Sequence, residues 1–100
     1  MDALVINKFV SLLKNIVDKE GDVTIEVDHY IFSYRKNKEI DEISNQQIAE
    51  VFAELAYYLD YYVFDEKKRS EDRSFYGNEK LKQEVNDALV KIEKLRIKEL

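Results

Sequence analysis

The chain has no proline and two glycines, Gly21 and Gly77, in 100 residues. Proline and glycine are the commonest punctuation of a helix, so little in this sequence interrupts one. Long helices are the expected consequence. The first is expected from Asp2 to Lys19, where Leu4 or Val5, Phe9, Leu12, Leu13, Ile16 and Val17 recur at three- and four-residue steps. Gly21 is the natural stop after it.

The stretch from Asp22 to Lys36 supports two readings. Val23, Ile25 and Val27 alternate with Thr24, Glu26 and Asp28, the period of a strand; Val27, Tyr30, Ile31 and Tyr34 follow the period of a helix. A solitary strand would find no partner elsewhere in the chain, and an isolated hairpin is marginal. The expectation is therefore a helix over residues 23–34, capped at Asp22 or Thr24, with an edge strand as the alternative. Lys36–Ile43 reads as a polar connection.

Ser44-Asn45-Gln46-Gln47 is the clearest helix start. Ser44 as cap with Gln47 three residues on can satisfy two backbone N–H groups reciprocally. Ile48, Val51, Phe52, Leu55 and Leu59 supply a buried stripe, and this helix is expected to reach Tyr62. Asp65–Asn78 reads as a charged loop with Phe75 and Tyr76 folded back onto the core. The last helix is expected from Glu79 to the C-terminus, burying Leu81, Val85, Ala88 or Leu89, Ile92 and Leu95. Its other face mixes signs (Glu84, Lys91, Glu93, Lys94, Lys98), which is the usual solvated pattern. Four amphipathic helices with short links imply an all-α chain and a small antiparallel four-helix bundle. At this length one domain, spanning residues 1–100, with one modest core is expected.

The charge is unevenly distributed. Between Asp41 and Glu66 lie Asp41, Glu42, Glu50, Glu54, Asp60, Asp65 and Glu66, with no Lys, Arg or His. The net charge is −5, so this segment more than accounts for it and the remainder carries a slight basic excess. Glu50 and Glu54 are spaced i,i+4, where like charges cost a few tenths of a kcal/mol (roughly 0.2–0.5). Such local inconsistencies are expected at functional surfaces. Tyr57 and Tyr61 continue that face, and Asp65 lies near its end. Tyrosine suits an interface because it brings area and a polar handle. Of the four tyrosines at 57, 58, 61 and 62, two are expected to complete the core: Tyr62, with either Tyr57 or Tyr58.

Catalysis is not expected. His29 is the sole histidine and there is no cysteine, so neither a Ser/His nor a Cys/His arrangement can be assembled convincingly. Asp60 and Asp65 can be read as an acid–base pair or, with Glu66, as a Mg²⁺ site. There is no glycine-rich phosphate cradle, no EF-hand loop and no regular ligand spacing. No catalytic residue, metal or cofactor is therefore assigned. Without cysteine, disulfides and thiolate sites are excluded, which suits a reducing cytoplasm. No apolar run approaches the ~18 residues of a membrane span, and no signal peptide is legible at the N-terminus. A cytoplasmic protein that does not enter a membrane is expected. The acidic balance disfavours nucleic acid as a direct ligand and favours a basic protein partner.

The residues from Tyr58 through Asp60, Tyr61, Asp65 and Glu66 to Arg69, followed by an acidic loop and then Leu81-x-x-Glu84-Val85-x-x-x-Leu89, resemble the colicin D-type immunity proteins. Thr24–Arg35 is similar to that family's second helix and Leu4–Val17 to its first. The resemblance implies a four-helix bundle that covers the basic cleft of a cognate bacterial toxin, a tRNA anticodon-loop nuclease, with acidic side chains standing in for substrate phosphates. By position, Asp60 and Asp65 match the two acids that do this and Arg69 the arginine that follows. Phe64 departs from the pattern, in which a proline ordinarily precedes the second acid. Together the two readings make Asp60, Asp65, Tyr61, Glu54, Tyr57, Glu66 and Arg69 the expected toxin-binding residues, on a monomer that forms a 1:1 complex. The alternatives are an immunity protein against an unrelated contact-dependent toxin effector and an acidic helical DNA mimic, which would spread its carboxylates rather than cluster them.

Overall fold

The scarcity of helix breakers has the expected outcome. In the computed structural model, which describes residues 2–98, α1 spans Asp2–Asp18, α2 Thr24–Lys36, α3 Gln46–Leu59, α4 Glu66–Arg69 and α5 Asn78–Lys98. A 3-10 turn, Lys38–Glu42, links α2 to α3. The described residues contain no strand, and a single isolated parallel bridge joins Tyr62 to Tyr76. The chain is all-α. Residues 99 and 100, where the last helix is expected to continue, lie outside the described residues, as does residue 1 of the expected domain.

Ile25 decides between the two readings of the second segment. A strand would bury it with Val23 and Val27, whereas it is 75% exposed while Val23, Val27, Tyr30 and Ile31 are buried. That is a helical stripe. Neither Asp22 nor Thr24 is the cap: that position falls to Val23, which offers no side-chain acceptor, and Thr24 is the first helical residue. Asp22 instead braces the turn into the helix, its carboxylate accepting the Thr24 N–H at 2.9 Å and the Thr24 hydroxyl. Those bonds, the hydroxyl's first, hold the Asp22 carboxyl below its ordinary pKa. Upstream, Gly21 turns the chain with φ at 79°, a left-handed conformation that glycine adopts without a Cβ penalty.

Two boundaries of α3 differ from expectation. Asn45, not Ser44, is the cap: its Oδ1 accepts the N–H groups of Gln47 (3.0 Å) and Ile48 (3.2 Å). Asn and Ser are near-equal caps, and moving the start by one residue takes Gln47 out of capping-box register. The helix also ends at Leu59 rather than Tyr62. Tyr61 and Tyr62 donate to Tyr58 and Leu59 in a tightened last turn, and the Val63 N–H then turns away to the Tyr76 carbonyl at 3.0 Å. The backbone leaves the helix because a new partner takes over its hydrogen bonds.

The expected polar connection is also more apolar than its charges suggest. Ile40 and Ile43 are buried, since residues three apart eclipse on a 3-10 turn. The charged loop holds the one-turn α4, which the sequence reading omitted; Tyr76 is buried and Phe75 half-buried there, as expected.

The helices close a ring of contacts, α1 on α2 and α5, and α3 on α2 and α5. At its centre the fully buried Phe9 ring meets Tyr30 edge-on (5.8 Å) and Phe52 at a tilt (5.6 Å). Burial of an aromatic side chain with such ring contacts is a large local gain. The Tyr30 hydroxyl donates to the Phe52 carbonyl at 2.9 Å, so this buried phenol is satisfied. Desolvation pushes its pKa well above the ordinary value. In α1, Val5 rather than Leu4 faces inward; in α5, Ala88 is buried and Leu89 half-buried.

Candidate functional site

The exit of α3 is held from both sides by tyrosines. Tyr76, just before α5, stacks on Tyr58 with ring centres 4.4 Å apart, and its hydroxyl donates to the Tyr58 carbonyl at 2.8 Å. The Tyr62 hydroxyl accepts the buried Val23 N–H (3.3 Å) and donates to Asn78 Oδ1, while Asn78 Nδ2 donates to the Gly21 carbonyl. One side chain from the α3 exit thus ties the α1–α2 turn to the start of α5. Of the four tyrosines, Tyr62 is buried in the core and Tyr58 and Tyr61 are both half-buried against it, one more than expected, while Tyr57 stays 71% exposed.

The seven expected binding residues divide among three places. Glu54 and Tyr57 lie on α3 along a groove of about 600 Å³ between α3 and α5. Asp65, Glu66 and Arg69 lie at a second, more polar hollow of about 890 Å³ formed by the α3 exit and α4, with Asp22 and Asn78 on its opposite wall. Asp60 and Tyr61 line neither and occupy the segment of chain between them.

Each of these side chains has a local explanation. Asp60 is the C-terminal cap of α3, where a carboxylate meets the negative end of the helix dipole. The Arg35 guanidinium from α2 answers it, Nη2 to Oδ2 at 2.9 Å. Asp65 caps α4, accepting the Lys67 N–H at 2.9 Å. Tyr61 packs edge-on against Tyr57 at 5.9 Å. The hydrogen bond between their phenols, then the nearby charge of Tyr57, raises the Tyr61 pKa. The Arg69 guanidinium lies over Gly77, in space that a Cβ would fill. Glu54 and Glu66 are exposed.

Three residues that the sequence reading passed over belong to this surface. Glu84 and Asp87 of α5, spaced i,i+3 and so on one face, border the groove opposite Glu54. The mixed-sign pattern of α5 hid them among solvated charges. Arg35 is the third: with α3 expected to reach Tyr62, Asp60 was not read as an acid at a helix end, the position that asks for a cation nearby.

The floor of the α3–α5 groove is apolar, built from Val51, Leu55, Tyr58 and Ala88. The Tyr58 hydroxyl there is buried without a hydrogen-bond partner among the described residues. Burial, and secondarily the Glu84 carboxylate, raises its pKa.

His29 is exposed on α2. No group of three or more His, Cys, Asp or Glu among the described residues is arranged to hold a metal ion. None of the described helices is long and apolar enough to cross a membrane. Compared with known protein families, with curated proteins and with solved structures, the chain matches none.

Proposed function

We propose that this protein is an immunity protein: a cytoplasmic inhibitor that binds the nuclease domain of a cognate bacterial toxin and blocks its basic active-site cleft. The reading that α1, α2, α3 and α5 form an antiparallel four-helix bundle belongs to the same proposal, and the ring of contacts among them supports it. The observation that carries the proposal is the run of exposed carboxylates along α3 and its exit. Glu50, Glu54, Asp60, Asp65 and Glu66 all face solvent, beside the exposed Tyr57 and without a lysine or arginine in that stretch.

A cleft that holds RNA phosphates concentrates arginine and lysine. A rigid acidic surface competes for it, speeding encounter and fixing orientation by charge complementarity. Such inhibition needs binding and no turnover, so no catalytic group, metal or cofactor is invoked. The complex is a 1:1 pairing of one toxin domain with one inhibitor.

The test is co-expression with the product of a neighbouring toxin gene. Loss of RNA cleavage together with co-purification supports the proposal. Asp60→Ala combined with Asp65→Ala then weakens binding by about 2 kcal/mol or more, roughly 30-fold or greater. A neighbour that is harmless, or that does not bind, overturns the immunity reading. Unchanged affinity in the double variant removes those two residues from the site.

A further inference from the structure

The groove between α3 and α5 has a composition that the proposed mimicry of phosphates does not require. Its floor is apolar, while its rim sets Glu54 of α3 and Glu84 and Asp87 of α5 against the single cation Lys91. None of these four side chains forms an ion pair among the described residues; the pairs found there are Lys19–Glu26 and Arg35–Asp60. The carboxylates therefore remain available to an outside cation. Tyr57 stands at the edge, largely exposed, and the buried Tyr58 hydroxyl has no hydrogen-bond partner among the described residues.

We infer that this groove is a docking site for a basic, amphipathic segment of a protein partner. One or two apolar side chains of that segment pack on Val51, Leu55 and Ala88, and an arginine or lysine meets the three carboxylates. Apolar floor and acidic rim select together for that chemistry. An acidic peptide is repelled by the rim, and a nucleic acid is repelled by the same charges. A purely apolar segment leaves the carboxylates to be desolvated without compensation. Guanidinium is the better-fitting cation, because it is weakly hydrated, stacks on aromatic faces and meets carboxylates through paired N–H groups. The exposed Tyr57 ring offers such a face. The groove is distinct from the α3 exit and from Asp60 and Asp65. It rests on the immunity reading only for the identity of the partner, which there becomes a basic element of the toxin outside its catalytic cleft.

Selection of a random-peptide phage library on the protein, with Glu84→Lys/Asp87→Lys as the counter-selecting protein, tests the inference. Peptides combining arginine or lysine with apolar residues are expected to be enriched. Their affinity falls about tenfold or more on Glu84→Lys/Asp87→Lys and on Tyr57→Ala, and is kept on Asp60→Ala/Asp65→Ala. All these positions are solvent-facing or half-buried, so unchanged circular dichroism and melting serve as the folding control. Absence of enrichment, enrichment of acidic peptides, or equal binding to the charge-reversed protein overturns the inference. Self-association that is abolished by Glu84→Lys/Asp87→Lys also overturns it, since a second copy would then be the occupant. The two proposals fail separately. Toxin binding lost in Asp60→Ala/Asp65→Ala but untouched by Glu84→Lys/Asp87→Lys spares the immunity reading and removes the groove. Peptides captured by the groove without any toxin partner do the reverse.

Discussion

Arg35 of α2 and Asp60 at the end of α3, 25 residues apart in sequence, form an ion pair, Nη2 to Oδ2 at 2.9 Å, that joins the two helices. The pair neutralises a carboxylate that would otherwise sit against the negative end of the α3 dipole. It also means that an incoming cation must displace a resident one at Asp60. Both side chains are substantially exposed, at 66% and 47%, so the pair contributes no more than about 0.5–1 kcal/mol to stability and less in high salt. Arg35→Ala is expected to lower the urea midpoint slightly at low salt and not at high salt. In the same variant a basic partner should bind more tightly, because the competing guanidinium is gone. Weaker binding in calorimetry would instead assign Arg35 itself to the contact.

Tyr62 is the larger structural liability. Its hydroxyl serves the buried Val23 N–H and also reaches Asn78. Tyr62→Phe keeps the ring and removes both bonds, leaving a buried donor unpaired at a cost of about 1–3 kcal/mol. Urea unfolding measures this directly. Tyr57→Ala, on an exposed ring, should stay within about 0.5 kcal/mol by the same measurement. A Tyr62→Phe protein as stable as the parent would show that the junction of turn, α3 exit and α5 does not depend on this hydroxyl.

What could be read from the sequence follows the range of the forces involved. The stripes of α1, α3 and α5 were legible because helical periodicity is local, and every residue assigned to the α3 stripe is buried. The core tyrosines were half legible, as Tyr62 with one of a pair. The cap at Asn45, the early end of α3 and the inward turn of Ile40 and Ile43 were not. Each depends on a choice between near-equal local options or on a partner far along the chain, such as the Tyr76 carbonyl that receives Val63. The candidate site shows the same division. The acidic run was visible as composition. Its split into a groove, a hollow and a paired Asp60 was not, because Glu84, Asp87, Asp22 and Arg35 enter from other helices and turns.

The phenols predict how the protein fails in alkali. Burial raises the pKa of Tyr30, Tyr34, Tyr58, Tyr62 and Tyr76 above the ordinary value of 10.0, Tyr76 strongly. The folded chain therefore holds protons that the unfolded chain gives up from about pH 10 upward. Stability linked to these groups is complete below pH 10 and is lost progressively as pH rises through the folded-state values. Urea midpoints measured from pH 8 to pH 11 should fall steeply above about pH 10. Tyr76→Phe lowers stability at neutral pH, since the bond to the Tyr58 carbonyl is gone, but its alkaline decline should be shallower than that of the parent. An identical slope would mean that Tyr76 does not carry the linkage.

The two glycines act by different physics and can be separated by experiment. Gly21 has φ at 79° with nothing within 4 Å of where a Cβ would stand. Gly21→Ala thus costs conformational energy alone, about 1–2 kcal/mol, whatever its neighbours are. At Gly77 a Cβ would overlap the Arg69 guanidinium. The cost of Gly77→Ala is that of moving the end of a flexible side chain and forfeiting its packing, so it depends on residue 69. A double-mutant cycle between Gly77→Ala and Arg69→Ala should show a coupling of about 0.5 kcal/mol or more, while the cycle between Gly21→Ala and Arg69→Ala should be additive within about 0.3–0.5 kcal/mol. Additivity in both cycles would remove Arg69 from the surface of Gly77. It would also free that arginine, one wall of the hollow beneath the α3 exit, to swing toward a partner's carboxylate.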